Sequence, residues 1–434
     1  MSEVHTVQRV ERHLIKKTSK DFKVLDELCF NAKNLYNFTN YIVRQAFTGH
    51  KELIPEYEDL ITNERFISEY DLVKRFANQN QQDYRSMVSA WSAQQVVYQV
   101  FENWKSWFKV LKAYKRDPSS FTGCPKMPGY KDKKNGRSML VVNKTKPNKD
   151  GSISLTKTLK LKIRTKLKSF QQIRVIHNGY YIMVEIVYKK ELNFAKNENA
   201  NSIMSIDLGV NNLASITSDN GMSYIVNGRN LKSINQFYNK KLAKLQQVYS
   251  KQKIRTGSVR QRLELKRKNK IDDYFHKASL LISELAVKNQ IKYVVVGLNK
   301  GWKNEPKMGK ANKQNFIQIP FDRFISMLRY KLEERNIKLV TSEESFTSKC
   351  SFLDDEDICF HQKYKGQRIK RGLFKSGIGK CLNADINGSL NILRKLDLGK
   401  IDVFEKIFRP TKIKDIERNL VSLRVNNSLI TSRG

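Results

Sequence analysis

Apolar and aromatic residues recur at intervals of three and four from about Val24 to Leu111, in segments such as LDELCFNAKNLYNFTNYIVRQAF and VSAWSAQQVVYQVFENWKSWFKVLKAY. That period predicts a helical bundle with one buried stripe per helix. Lys33, Lys105, Lys109 and Lys112 fall on its polar positions, while Trp91, Trp104, Trp107 and Phe108 are read as helix packing in preference to base stacking. The proline, glycine and serine cluster RDPSSFTGCPKMPGYKDK, Arg116 to Lys133, punctuates rather than packs. From Ser138 to Lys190 the period shortens to two, in SISLTKTLKLKIRT, QQIRVIHNGY and YIMVEIVYKK, which predicts a small sheet or barrel with one buried and one cationic face. The first twenty residues offer a further strand.

A polar linker, ELNFAKNENANS, precedes a second architecture. IMSIDLGVNNLASITSDNGMSYIVNG contains three apolar runs joined by turn residues, a pattern of consecutive hairpin strands. Two long basic amphipathic helices follow, the second from Ser258 to Lys288. KYVVVGLN and IKLVTSEE then read as buried strands separated by the helix PFDRFISMLRYKLEERN, and ADINGSLNILRKL as a last helix. Strands first, then strand and helix in alternation, describe an α/β RNase H-like nuclease core.

Charge narrows the partner. The 434 residues carry 81 lysines and arginines against 42 acids, a net +39, and self-repulsion of that size is relieved by a polyanion. Long nucleic acid is the expected partner; an anionic membrane is the weaker alternative, because no helix shows a lipid-facing stripe. No run of about 18 apolar residues and no signal-peptide pattern is visible, so a cytoplasmic location is expected. Five scattered cysteines, an odd number, are expected to be reduced.

In so basic a chain, acids at the ends of buried strands stand out. Asp207 ends IMSID ahead of a turn, Glu343 and Glu344 end IKLVTSEE, and Asp385 precedes the apolar helical face of Leu390, Ile392 and Leu393. Taken singly, an aspartate before glycine is a turn residue, Asp385 an N-cap, and the glutamate pair a cap or turn. Brought together, three carboxylates would repel one another unless divalent cations joined them, and Mg2+ prefers such oxygen ligands. That chemistry suits two-metal hydrolysis of a phosphodiester.

Three stretches, SIDLGVNNLAS, VVVGLNKGWK with NFIQIPFDRFISMLRYKLEERNIKLVTSEESFTSKCSF, and GKCLNADINGSLNILRK, resemble in order the three RuvC motifs of the TnpB family. These are transposon-encoded RNA-guided DNA nucleases related to type V CRISPR effectors and Fanzor proteins. The resemblance reaches back through LCFNAKNLYNFTNYIVRQAF and HNGYYIMVEIVYKK and so covers most of the chain. It implies a RuvC core with a wedge-like β-barrel and a helical recognition lobe. In those terms residues 1–23 and 116–190 form the barrel, 24–115 the recognition domain and 191–200 a linker. Residues 201–349 and 382–398 form the nuclease core, 350–381 a basic nucleic-acid-contacting insertion and 399–434 a C-terminal tail.

The resemblance also implies a structured guide RNA from the transposon end, a double-stranded DNA target beside a short motif, and two Mg2+ ions replaceable by Mn2+. It gives Asp207 and Asp385 the roles of first and third catalytic acids and metal ligands. The family's usual second acid directly follows the VVV strand, where this chain has Gly297. A rearranged branch carries it at the end of the next strand, which TSEESFTSK resembles, so the second acid is assigned to Glu344 with Glu343 as the alternative. Family members often carry two C-x-x-C pairs before the third motif. Here Cys350, Cys359, His361 and Cys381 are irregularly spaced, and no zinc is assigned. Asn211, Lys349, Asn387 and His276 are read as structural or phosphate-contacting residues rather than catalytic ones. The rival readings are a nuclease-inactive RNA-guided DNA-binding repressor, a strand-transferring transposase and a purely structural RNA-binding protein.

Overall fold

The computed structural model describes residues 5–63, 65–156, 159–192, 200–298, 314, 317–396 and 405–431. The chain divides into two units, Met1–Glu191 and Leu192–Gly434. Residues 193–199 of the polar linker, and the KGWK and NFIQ stretches over most of their length, lie outside the described residues.

In the first unit the helices are Lys20–Thr48, Glu69–Asn78, Gln82–Arg85 and Ala90–Arg116. Ser19 caps the first by accepting from the Asp21 N–H, and Gly49, at φ +84°, ends it in the left-handed conformation. The strands are β1 (His5–Lys16), β2 (Ile61–Thr62), β3 (Phe66–Ile67), β4 (Leu140–Val142), β5 (Ser152–Ser154), β6 (Lys160–Arg164), β7 (Gln172–His177) and β8 (Tyr181–Leu192). One sheet runs β1-β8-β7-β4, and β2–β3 and β5–β6 are separate hairpins. The N-terminal segment does supply a strand.

Leu25, Leu35, Ile42, Phe76 and Val97 of the helices share one core with Leu140, Ile173 and Val184 of the sheet. Trp104 is buried and its indole N–H donates to Asn40 Oδ1 at 2.8 Å. Its ring packs with Phe47, Trp107 and Phe108 at centroid separations from 5.3 to 6.1 Å, which is packing geometry. β6 alternates in burial as its period predicts, but β8 is buried on both faces from Val184 to Val187. Glu185 is tolerated there because Arg12 Nε donates to its carboxylate at 2.8 Å.

The second unit is built on a six-stranded sheet of β9 (Ser202–Leu208), β10 (Asn212–Ser218), β11 (Ser223–Asn227), β12 (Ile291–Gly297), β13 (Lys338–Ser342) and β17 (Thr411–Ile413). Its order is β13-β12-β9-β10-β11-β17. β9, β10 and β11 are antiparallel neighbours, while β12 and β13 join in parallel. Helices Arg229–Lys251 and Ser258–Lys288 precede β12, and Phe321–Glu333 makes the crossover to β13. Met204, Ile206, Val294 and Val296 pack with Phe275, Phe321, Phe324 and Leu328. This is the RNase H-like core expected of a RuvC domain.

A small antiparallel sheet, β14 (Gln367–Lys370), β15 (Leu373–Lys375) and β16 (Cys381–Asn383), leads into the helix Ala384–Arg394. The segment after 399 is more than a tail: β17 extends the main sheet, and Ile413, Ile416 and Leu420 join its core. Among the described residues no helix is long and apolar enough to cross a membrane.

Candidate active site

The register of the main sheet brings the acids to one edge. Asp207 is the penultimate residue of β9 and faces Ser215 of β10. One residue beyond the parallel pair Val296 and Ile206 stand Gly297 and Asp207, and Gly297 pairs on its other side with Ser342 of β13. Glu344 follows two residues later, so Gly297 lies between the strands that carry the two acids. A parallel sheet presents the carboxyl ends of its strands together, where such folds place their sites.

Asp385 arrives from the helix. Asn383, not Asp385, is the N-cap: its Oδ1 accepts from the N–H groups of Asp385 and Ile386 at 2.9 and 3.3 Å. The Asp385 carboxylate is thereby left free for other partners. The helix is tied to the sheet by a buried knot of hydroxyls, in which Ser205 Oγ lies 2.8 Å from Thr217 Oγ1 and 3.0 Å from Ser389 Oγ, and donates to the Ser389 carbonyl at 2.7 Å. The helix also comes close to the sheet at Gly388, where a Cβ would lie 2.8 Å from Asp207 Oδ2. No side chain fits there without displacing that carboxylate.

Burial pushes the Asp207 carboxyl well above the usual carboxylate range, and the charges of Glu344 and Asp385 add to it while Arg368 opposes it. Burial likewise raises Glu344 to about 6, against the pull of Lys395. Asp385 is held from both sides: Asn212 Nδ2 donates to Oδ2 at 2.7 Å and the Arg368 guanidinium to Oδ1 at 2.9 Å. The two glutamates diverge. Glu344 turns over Gly297, whereas Glu343 is exposed and accepts from Ser345 Oγ at 2.7 Å.

The donor set fits a hard divalent cation, being made of carboxylate oxygens alone, two of them pushed toward the neutral form by burial. Asp207 is within electrostatic reach of both Glu344 and Asp385, but among the described residues no three acidic, histidine or cysteine side chains close on a single ion position. Arg368 supplies the positive charge at Asp385 instead.

The remaining candidates lie elsewhere. Asn387 is fully buried, accepting from the Phe352 N–H at 3.0 Å and donating to the Cys350 carbonyl at 2.8 Å, a packing role. Lys349 is exposed with its ammonium over the Tyr364 ring, and His276 lies 3.4 Å from both Tyr330 Oη and Lys331 Nζ. Cys350 is buried and its thiol approaches the Cys359 carbonyl at 3.6 Å, His361 Nε2 lies 3.4 Å from Cys359 Sγ, and Cys381 is exposed on β16. Two contributors were missed in the sequence. Arg368 lies within the basic insertion 350–381, which the sequence marks only as a whole, and Asn212 stands beside Asn211, where only the hairpin register decides which asparagine faces Asp385.

Comparison with known proteins follows this geometry. The OrfB_IS605 family model, described as a probable transposase, matches residues 182–303, and the Cas12f1-like TNB domain model matches residues 321–392. A TnpB-like protein of Acidianus two-tailed virus is 25% identical over 48% of this chain and 44% of its own length. A TnpB-like protein of Methanocaldococcus jannaschii is 26% identical over 40% of this chain and 66% of its own. The matches thus span from under half to about two thirds of these curated relatives. Among solved structures, Cas12f1 from a complex with sgRNA and target DNA superposes with a TM-score of 0.52 at 14% identity, covering 85% of this chain and 82% of that one, a likeness of fold. Both family models, both curated relatives and the ordered motifs around Asp207 and Asp385 agree in one direction: the chain is similar to the TnpB-like proteins over the second unit's nuclease-core motifs.

Proposed function

We propose that the protein is an RNA-guided DNA endonuclease encoded by a transposable element, in which guide pairing and a short adjacent DNA motif direct Mg2+-dependent cleavage of both strands. The observation that carries this reading is that Asp207, at the end of β9, lies within electrostatic reach of Glu344, beyond β13, and of Asp385, on the helix, in a chain with a net charge of +39. A structural RNA-binding protein has no use for acids held in desolvated positions that raise the Asp207 and Glu344 carboxyls, since such burial costs stability.

Asp207 and Glu344 would ligate from the ends of β9 and β13, on either side of β12, and Asp385 from the helix. Two divalent ions, when bound, would supply an activated water and a stabilised leaving oxygen. Gly388 leaves Asp207 room to hold its place, and the Asn383 cap and Asn212 fix the Asp385 carboxylate. Arg368, released from Asp385, is positioned to meet the phosphate of an entering strand. Lysines and arginines elsewhere would contact phosphates without reading sequence.

The nuclease-inactive RNA-guided repressor is favoured by one observation, the glycine at 297 in the usual place of the second acid. The two are separated by purifying the protein with its native flanking RNA, sequencing the RNA retained, and incubating the complex with matched and mismatched supercoiled DNA in Mg2+. The nuclease reading expects guide-matched linearisation. Guide-matched binding with no cutting in Mg2+ or Mn2+ would establish the repressor instead.

A further inference from the structure

Gly297 occupies the central position at the sheet edge, level with Asp207 on one side and paired with Ser342 on the other. A Cβ built there would lie 2.8 Å from Glu344 Oε2, 3.2 Å from Glu344 Cβ and 2.5 Å from Ile392 Cδ1. The isoleucine contact is with the far end of a flexible side chain and can yield. The glutamate contact yields only if the carboxylate leaves its place, because the 2.8 Å contact is with Oε2 and the Cβ beneath it is also tight. The Glu344 side chain lies across the face of Gly297, in the space that any side chain at 297 would occupy.

We infer that Gly297 is a positioning residue that keeps open the seat of the Glu344 carboxylate, so that the second acid can be delivered from β12 or from the end of β13 but not from both. This rests on the reading of Glu344 as a metal-binding acid. A glycine in a buried strand has no side chain to pack and weakens the strand, so its presence in VVVGLN needs a close approach to justify it. That approach is Glu344. Departure of the usual acid and arrival of the new one are then two halves of a single steric exchange.

The test uses the full-length, RNA-free protein and Mn2+ alone, with free Mn2+ followed by electron paramagnetic resonance and folding by thermal melting. Asp207→Asn reports the uptake that belongs to this site. Gly297→Ala is expected to weaken that uptake by about tenfold or more, as Glu344→Gln does. The exchanged variant, Gly297→Glu with Glu344→Ala, is expected to recover it to within about tenfold. If Gly297→Ala melts early, adding Glu344→Ala should restore the melting temperature, since the clash is then gone; failure to restore it overturns the inference. Wild-type Mn2+ affinity in Gly297→Ala, with affinity lost in Glu344→Gln, would overturn the inference and leave the acid standing. Uptake indifferent to Glu344→Gln would remove the acid and the inference with it.

Discussion

Arg368 neutralises one of the three acids and also obstructs it. Its guanidinium lies 2.9 Å from Asp385 and is about half exposed, so it can leave the acid for an incoming phosphate at little cost. Arg368→Ala is expected to slow single-turnover cleavage by about 10²–10³-fold, the usual effect of removing one charge-stabilising donor, while Mn2+ uptake holds or tightens. Cleavage at the wild-type rate would remove Arg368 from the reaction. A different residue reports on folding. Burial drives the Lys331 ammonium down to about 8, although its Nζ donates to Ser279 Oγ at 2.7 Å. A lysine depressed in the folded state costs stability below that value, and the cost is relieved as pH rises toward the unfolded lysine's ordinary range. Lys331→Met is therefore expected to raise stability at pH 7 by about 1–3 kcal/mol, with a gain that shrinks between about pH 8 and 10.5 in denaturant titrations. A pH-independent difference would contradict this. At this scale the sequence disclosed acids by their contrast with a basic chain, but not Arg368, one cation among many, nor Lys331, whose burial arises from tertiary packing.

The helix Ala384–Arg394 has to hold Asp385 against a sheet strand almost two hundred residues earlier in the chain. It does so with a cap at one end and the Ser205, Thr217 and Ser389 knot along one face. Asn383→Ala should cost about 1 kcal/mol of stability by chemical denaturation and Asn383→Ser far less, since serine can still cap. Equal losses would mean that the asparagine serves something other than the helix terminus. Most elements were legible because their hydrophobic period is regular: three hairpin strands from Ile203 to Asn227, the helix from Ser258, and the VVV strand appear where the pattern places them. Two features were not. β8 departs from alternation because Arg12 of a neighbouring strand satisfies Glu185 inside the sheet. β17 is three residues long and joins the sheet edge by a parallel pairing that no local pattern announces.

At the scale of the whole molecule, charge and topology point to the same partner. Between residues 229 and 271, in the two helices that precede β12 and the connection between them, fourteen lysines and arginines stand against a single glutamate. Such a surface gives affinity for phosphates with little sequence preference, which suits a protein that leaves sequence reading to a guide. The candidate site was legible only in part. Asp207 and Asp385 lie in ordered motifs, but choosing between Glu343 and Glu344 requires knowing which one turns inward, and two adjacent residues beyond a strand end face differently only once the sheet is formed. The most direct measurement is cleavage of a guide-matched supercoiled target in Mg2+ by the wild-type complex and by its Asp207→Asn, Glu344→Gln and Glu343→Gln variants, each loaded with the same RNA. Cutting lost in the first two variants and kept in the third is the expected result. Cutting that survives Glu344→Gln but is lost in Glu343→Gln would contradict the assignment of the inward-facing glutamate as the second acid.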